Sequence, residues 1–378
     1  MTAGAVRKWL IIVQGLVPML LVGTYQYSWN IFMKPLANSF GVGLPLIQTA
    51  YSLFVLFSTL SQVLGGYVAD ARGPAIVGAT GSALAGIGMM TAGLTKSIYA
   101  FYALWSLGST GVGFVYAVSI NLGVKWFGKS RGLATGLINM GFGLGSTFFN
   151  PFISPLASRG DYLAPMMIIG GALLIVSTAL MASSKYPAAD KRGKGSNPLP
   201  PGPSFWLIFI SFSLASIPLQ LYSSSLSVMG VRYDYFTVTA AATVLPLFSG
   251  IGRPIMGFIS DSWGRRNAIL AEISMLAVAT PLVLSGLPVL YIAAAGLVGF
   301  LGGAMMTLYA SLIGDRYGTS SSTFLFGIIY NGKFVAAVLA SVLFAFMIIR
   351  YGLMDAVLLE AGLTAMSIPF FLAAKPGE

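Results

Sequence analysis

The chain has 378 residues, of which 56% are hydrophobic and only 8% charged, and its mean hydropathy is +0.84. Soluble domains carry about 25% charged residues to face water, so a water-soluble globule is excluded and this surface faces lipid. The absence of His and Cys removes disulfides, thiol chemistry and the usual zinc-binding and proton-shuttling side chains, and no cofactor or metal is expected. The net charge of +11 sits on basic residues in short segments between apolar runs, which is a membrane-topology pattern rather than a nucleic-acid one.

A crossing needs about 20 mostly apolar residues, so the distances between charges measure the spans. In chain order, residues 10–33 and 46–69 make two spans, divided by a breaker stretch at Lys34, Pro35, Gly41, Gly43 and Pro45. Residues 73–95, 97–124, 132–158 and 162–184 hold no charge and give four more. Residues 204–229, 236–260, 268–284, 289–314, 323–349 and 353–374 complete twelve. The first span follows Arg7 and Lys8 like a signal peptide, but it is too long and lacks a clear small-residue cleavage site, so it is expected to be retained.

Basic residues in short loops mark the cytoplasmic side. With both termini inside, the cytoplasmic loops hold 14 Lys and Arg and the opposite loops 5, namely Lys34, Lys96, Arg159, Arg232 and Arg350. Both termini are therefore expected in the cytoplasm, in a cell inner membrane. Two basic residues, Arg253 and Lys333, fall inside spans.

The one long polar, Pro-rich segment, residues 186–203, reads as a cytoplasmic linker between an N-terminal six-helix bundle (1–185) and a C-terminal six-helix bundle (204–378). A repeat runs across it. Gly66-Tyr-Val-Ala-Asp70-Ala-Arg72-Gly73 after span two matches Gly257-Phe-Ile-Ser-Asp261-Ser-Trp-Gly264-Arg265-Arg266 after span eight, at an offset of 191 (261 − 70). A weaker echo links Trp126-Phe-Gly128-Lys-Ser-Arg131-Gly132 to Arg316-Tyr-Gly318. Parallel six-helix repeats are the mark of a two-half transporter with its site at the repeat interface.

The Gly-x-x-x-Asp-x-x-Gly-Arg-Arg loop resembles the signature loop of the major facilitator superfamily. Gln26-Tyr-Ser-Trp29, Gln48-Thr-Ala, Gly65 to Pro74, Trp126 to Gly136 and Gly252-Arg-Pro254 resemble its oxalate/formate antiporter branch, a neighbour of the monocarboxylate transporters. The resemblance implies an all-α membrane protein of twelve transmembrane helices in two six-helix halves that moves small carboxylates by alternating access. It also implies gating roles for Gly66, Asp70, Arg72, Gly73 and Arg131 in one half and for Asp261, Gly264, Arg265 and Arg266 in the other. Arg72 and Pro74 depart from the superfamily's Asp-Arg-x-Gly-Arg pattern in the first loop.

Arg253 and Lys333 lie roughly 12 and 15 Å from the cytoplasmic ends of spans eight and eleven at about 1.5 Å per residue, near the centre of a hydrocarbon core about 30 Å thick. A charge there is retained for a partner or a task. Of the 10 acids, eight fall in loops or at ends and only Glu272 and Glu360 remain in spans, so pairing with a glutamate or with backbone carbonyls is one reading. In the other, both cations serve an anion, the guanidinium as a planar fork and the ammonium as a point charge. The resemblance favours the second: in the antiporter branch an arginine in helix eight and a lysine in helix eleven bind substrate, and Arg253 and Lys333 fall on those positions. Gln26, Tyr27, Gln48, Tyr116 and Tyr330 are candidates for further hydrogen bonds or aromatic walls.

Where that branch lines its pocket with tryptophans, this chain has Leu301 and Tyr330, which leaves room for a larger carboxylate such as lactate. Where animal-type monocarboxylate transporters carry an acid one turn before the helix-eight arginine, it has Ser249. Anion exchange or uniport is therefore expected ahead of proton symport, with protons as a second candidate partner and a monomer as the functional unit. A membrane enzyme would need paired acids, His, Cys or a metal cluster at depth. A non-transporting anion receptor and a channel are the other readings weighed. The glycine clusters Gly108 to Gly113 and Gly141 to Gly145 lie in apolar helices, where close packing accounts for them better than phosphate binding.

Overall fold

Lipid offers no partners to backbone N–H and C=O groups, so a chain of this composition must satisfy them within its own segments. The computed structural model describes residues 3–127, 131–187, 202–317 and 322–374, and every regular element among them is helical. The protein is an all-α membrane protein. Eleven helical segments among the described residues are long and apolar enough to cross a membrane. The remaining predicted crossing, the fifth, is α7 (Arg131–Ser158), which is long enough at 28 residues, but its Asn, Ser, Gly and Pro residues make it less apolar than those eleven.

The chain divides into two compact units, Met1–Lys191 and Arg192–Glu378. In the first, α1 (Ala3–Val22), α2 (Thr24–Tyr27) and α3 (Trp29–Phe40) follow one another with steps at Gly23 and Ser28. Then come α4 (Leu44–Arg72), α5 (Pro74–Leu94), α6 (Ile98–Trp126), α7, and α8 (Leu163–Ala172), joined by a π-helical turn to α9 (Thr178–Ala182). Helices α4, α5 and α6 pack on one another, and α1 packs on α7. A nest of buried rings joins α2, α3 and α6: Tyr25 and Trp105 have centroids 4.4 Å apart and Trp29 and Trp105 5.6 Å.

The second unit starts with α10 (Gly202–Ala215) and α11 (Ile217–Met229), then α12 (Tyr235–Trp263), and α13 (Arg265–Ala279) extended by a 3-10 turn Thr280–Ser285. It ends with α14 (Pro288–Tyr317), α15 (Ser322–Tyr330), α16 (Gly332–Ala337), a π-helical turn Val338–Leu343, α17 (Phe344–Tyr351) and α18 (Leu353–Ala373). Here α12 packs on α14, α10 on α18, and α13 on both α14 and α18.

The breaker stretch expected from Lys34 onward is a correction: Lys34 and Pro35 lie inside α3, which stops only at Gly41 with φ 64°. Apolar runs measure the hydrocarbon thickness, whereas helices continue into the headgroup layer where backbone and charge meet water. Helices α4, α6 and α12, each of 29 residues, overrun their predicted spans for the same reason.

The repeat has a structural counterpart. Gly73 ends α4 at φ 94° and Gly264 ends α12 at φ 86°, both in the positive range that favours glycine, and each is followed at once by the next helix. The linker expected at 186–203 lies for the most part outside the described residues.

Candidate functional site

Arg253 lies on α12 ten residues before its end at Trp263, roughly 15 Å along the helix. The residue before it fixes its position. A Cβ on Gly252 would overlap the carbonyl oxygen of Phe300 on α14, so the two helices touch backbone to backbone at that level. Lys333 sits in the first turn of α16, eleven residues from the start of α15 and so at a closely similar depth. The helix steps at Asn331, whose Nδ2 donates to the Gly327 carbonyl at 2.7 Å, and restarts at Gly332 against Phe212 and Ser213 of α10.

Both cations are buried, Arg253 at 7% exposure and Lys333 at 4%, and they lie within electrostatic reach of each other. Lys333 Nζ stands 5.5 Å from the centroid of the Tyr330 ring, a cation–π distance, and that ring is flanked by Phe326 and Phe212. Two like charges in a low-dielectric interior repel, and an anion placed on both converts that repulsion into attraction. Arg253, Lys333 and Tyr330 therefore form one cluster. Glu272 and Glu360, the two acids within predicted spans, are fully buried on α13 and α18, with no hydrogen-bond partner for either carboxyl oxygen among the described residues.

A second cluster lies in the N-terminal unit. Tyr116 Oη donates to Asn139 Oδ1 at 2.9 Å, and Phe142 packs edge-on against both Tyr116 and Tyr27, with centroids 5.5 and 5.9 Å apart. Asn139 and Phe142 did not figure among the expected residues; a polar Asn within the charge-free run 132–158 was the available signal. Gln26, next to Tyr27 in the chain, is buried at 1% exposure. Gln48 belongs elsewhere: its Oε1 accepts from Trp29 Nε1 at 3.1 Å, within the aromatic nest.

Of the expected gating residues, Asp70 in one unit and Asp261 and Arg265 in the other take part in ion-pair networks. Asp70 pairs with Lys125 at 2.7 Å, joining the ends of α4 and α6, and Lys125 had counted only as a topology charge. Gly66 leaves an ordinary 4.0 Å to Ala117 and Asn121, and Arg72 is exposed. Asp261 pairs with Arg265, which also reaches Asp315 Oδ2 at 3.3 Å, so the ends of α12, α13 and α14 are tied together. Arg266 is exposed, and the side chain of Arg131 lies outside the described residues.

The family model described as Major Facilitator Superfamily matches residues 17–280. An uncharacterized 38 kDa protein in the 23S RNA operon of Thermoproteus tenax is 33% identical, over 98% of this chain and 96% of its own length. The oxalate:formate antiporter of Oxalobacter formigenes is 28% identical over 98% of this chain and 93% of its own. Among solved structures, a bacterial homolog of the human lysosomal transporter Spinster, in an inward-facing and occupied conformation, matches with a TM-score of 0.72 at 16% identity. That match covers 97% of this chain and 96% of the other, and it is a likeness of fold.

Proposed function

Since the chain belongs to the major facilitator superfamily of transporters, we propose that it carries small carboxylate anions across the cell inner membrane by alternating access, with both termini cytoplasmic, and works by anion exchange as a monomer. The observation that carries this reading is the burial of Arg253 and Lys333 together beside Tyr330 at mid-depth of the C-terminal unit. Arg253 supplies the planar fork for a carboxylate, Lys333 a point charge for its second end, and Tyr330 an aromatic wall. The likeness to an oxalate:formate antiporter across nearly the whole chain supports the same class of substrate, and the 14 to 5 distribution of basic residues supports the orientation. Exchange is favoured over proton symport because Ser249, one turn before Arg253, is a buried hydroxyl rather than an acid.

The test is counterflow in sealed liposomes with labelled oxalate, formate, lactate, pyruvate and acetate. Uptake that needs internal carboxylate and ignores an imposed pH difference is the expected result. Transport of a neutral sugar or a cation, with no carboxylate competing, overturns the reading.

A further inference from the structure

We propose that Glu272 and Glu360 are proton-binding sites of the C-terminal unit, separate from the Arg253 and Lys333 cluster and set at different depths, one nearer each face of the membrane. Both side chains are fully buried, and all four of their carboxyl oxygens lack a hydrogen-bond partner among the described residues. An ionised carboxylate cannot be held in that state without a donor or a counter-charge. A proton on each group removes the charge.

The surroundings supply no substitute for that proton. Helix α13 packs on α12, α14, α18 and the turn Thr280–Ser285. The charged and titratable groups on those elements and on α13 itself are Arg253, Asp261, Arg265, Arg266, Tyr235, Tyr291, Tyr309, Asp315, Arg316, Tyr317, Asp355 and Glu360. Among the described residues, none of these donates a hydrogen bond to either Glu272 carboxyl oxygen, and the hydroxyl of Tyr309 shares its 2.7 Å hydrogen bond with Ser211 instead. Helix α18 packs on α10, α11, α13, α17 and the same turn. Their titratable groups are Tyr222, Glu272, Arg265, Arg266, Arg350 and Tyr351, with Asp355 on α18 itself, and none donates a hydrogen bond to a Glu360 carboxyl oxygen.

Depth separates the two sites. Glu272 is seven residues into α13 from Arg265, and Glu360 seven residues into α18 from Leu353, about 10 Å in each case. As the ninth and twelfth of twelve alternating crossings, these helices run in opposite directions, so one buried carboxyl lies nearer each face. A packing position alone does not account for a glutamate: an apolar side chain fills such a place without desolvating two oxygens.

Infrared difference spectra of the purified protein in lipid nanodiscs, taken across a pH range in H2O and D2O, test the inference without any substrate. The carbonyl band of neutral, buried carboxyl groups is expected in the wild type, reduced in Glu272→Gln and in Glu360→Gln, and absent in the double variant. A wild-type spectrum without that band, or a band that both variants leave unchanged, overturns the inference. A positive infrared result without carboxylate transport leaves the proton sites standing and removes only the anion-exchange reading.

Discussion

Lys125 Nζ lies 2.7 Å from Asp70 Oδ1 and 4.0 Å from the centroid of the Tyr186 ring, so one lysine at the end of α6 gathers the end of α4 and the residues following α9. Trp126 adds a hydrogen bond from Nε1 to the Lys185 carbonyl at 2.7 Å. In the second unit, Arg316, offset by 191 (316 − 125), donates to Ser204 Oγ at 2.9 Å and to the Ala374 carbonyl at 3.5 Å, fastening α14 to the start of α10 and the end of α18. Each half thus has a basic staple at this loop, one residue out of register in the echo that aligns Trp126 with Arg316, and with different partners.

The Asp70 and Lys125 pair is more than a surface contact, because the lysine side chain is 4% exposed and the aspartate 28%. Asp70→Asn leaves a buried ammonium without its counter-charge and is expected to lower stability by about 2 kcal/mol, between the values for exposed and buried pairs. Lys125→Met placed on top should recover part of that loss. Thermal unfolding of the four proteins in the cycle reads the coupling; simple additivity would show that the pair contributes nothing.

Gly73 and Gly264 hold the same repeat position at φ 94° and 86°. Alanine at either is expected to cost about 1–2 kcal/mol, since a Cβ strains that backbone whatever the free space. Gly171, inside α8, makes the contrast: an added Cβ meets nothing within 4 Å, and Gly171→Ala should leave stability unchanged or raise it by up to about 1 kcal/mol. Equal effects at all three sites in an unfolding series would refute the backbone account.

At the cation cluster, Arg253→Lys keeps the charge but loses the planar fork, and carboxylate affinity should fall about tenfold, equivalent to roughly 1.4 kcal/mol. Tyr330→Phe retains the ring face beside Lys333 and should bind nearly as well as the wild type. Isothermal titration with the transported carboxylate separates the two. Undiminished binding in Arg253→Lys would remove direct carboxylate contact from the account.

Eleven of the twelve predicted crossings coincide with helices long and apolar enough to span a membrane, because lipid imposes a single length on every apolar run, and the repeat was legible because Asp70 and Asp261 stand in nearly the same string of residues. The position of Arg253 and Lys333 far from their helix ends followed from counting residues, whereas their burial among neighbouring side chains did not. Helix ends were less legible: α3 runs through Lys34 and Pro35, because charge and proline are tolerated where a helix has already left the hydrocarbon. Partners across helices were least legible. Gln48 bonds Trp29, and Asp70 selects Lys125 rather than a neighbour in its own loop. Such choices depend on rotations about helix axes, and one apolar run carries no record of the face it turns to the next.

Those rotations are set where backbones touch, and the contact beneath Arg253 shows how. Gly252 meets the Phe300 carbonyl, Gly299 meets the Leu245 carbonyl and Gly303 meets Ser249, so α12 and α14 interlock along one seam. Without a hydrophobic force between helices in lipid, that close approach is itself the source of attraction. Gly252→Ala adds one methyl group where there is no space, which separates the helices at an overpacking cost of about 1–3 kcal/mol. It also swings the neighbouring guanidinium away from Lys333. Carboxylate affinity should therefore fall in Gly252→Ala although every charged group is intact. Gly257→Ala, on the same helix but with its Cβ at an ordinary 3.5 Å from Thr307, should keep both stability and affinity. Titration of the two purified variants, with unfolding measured in parallel, checks this, and wild-type affinity in Gly252→Ala would show that the seam does not position Arg253.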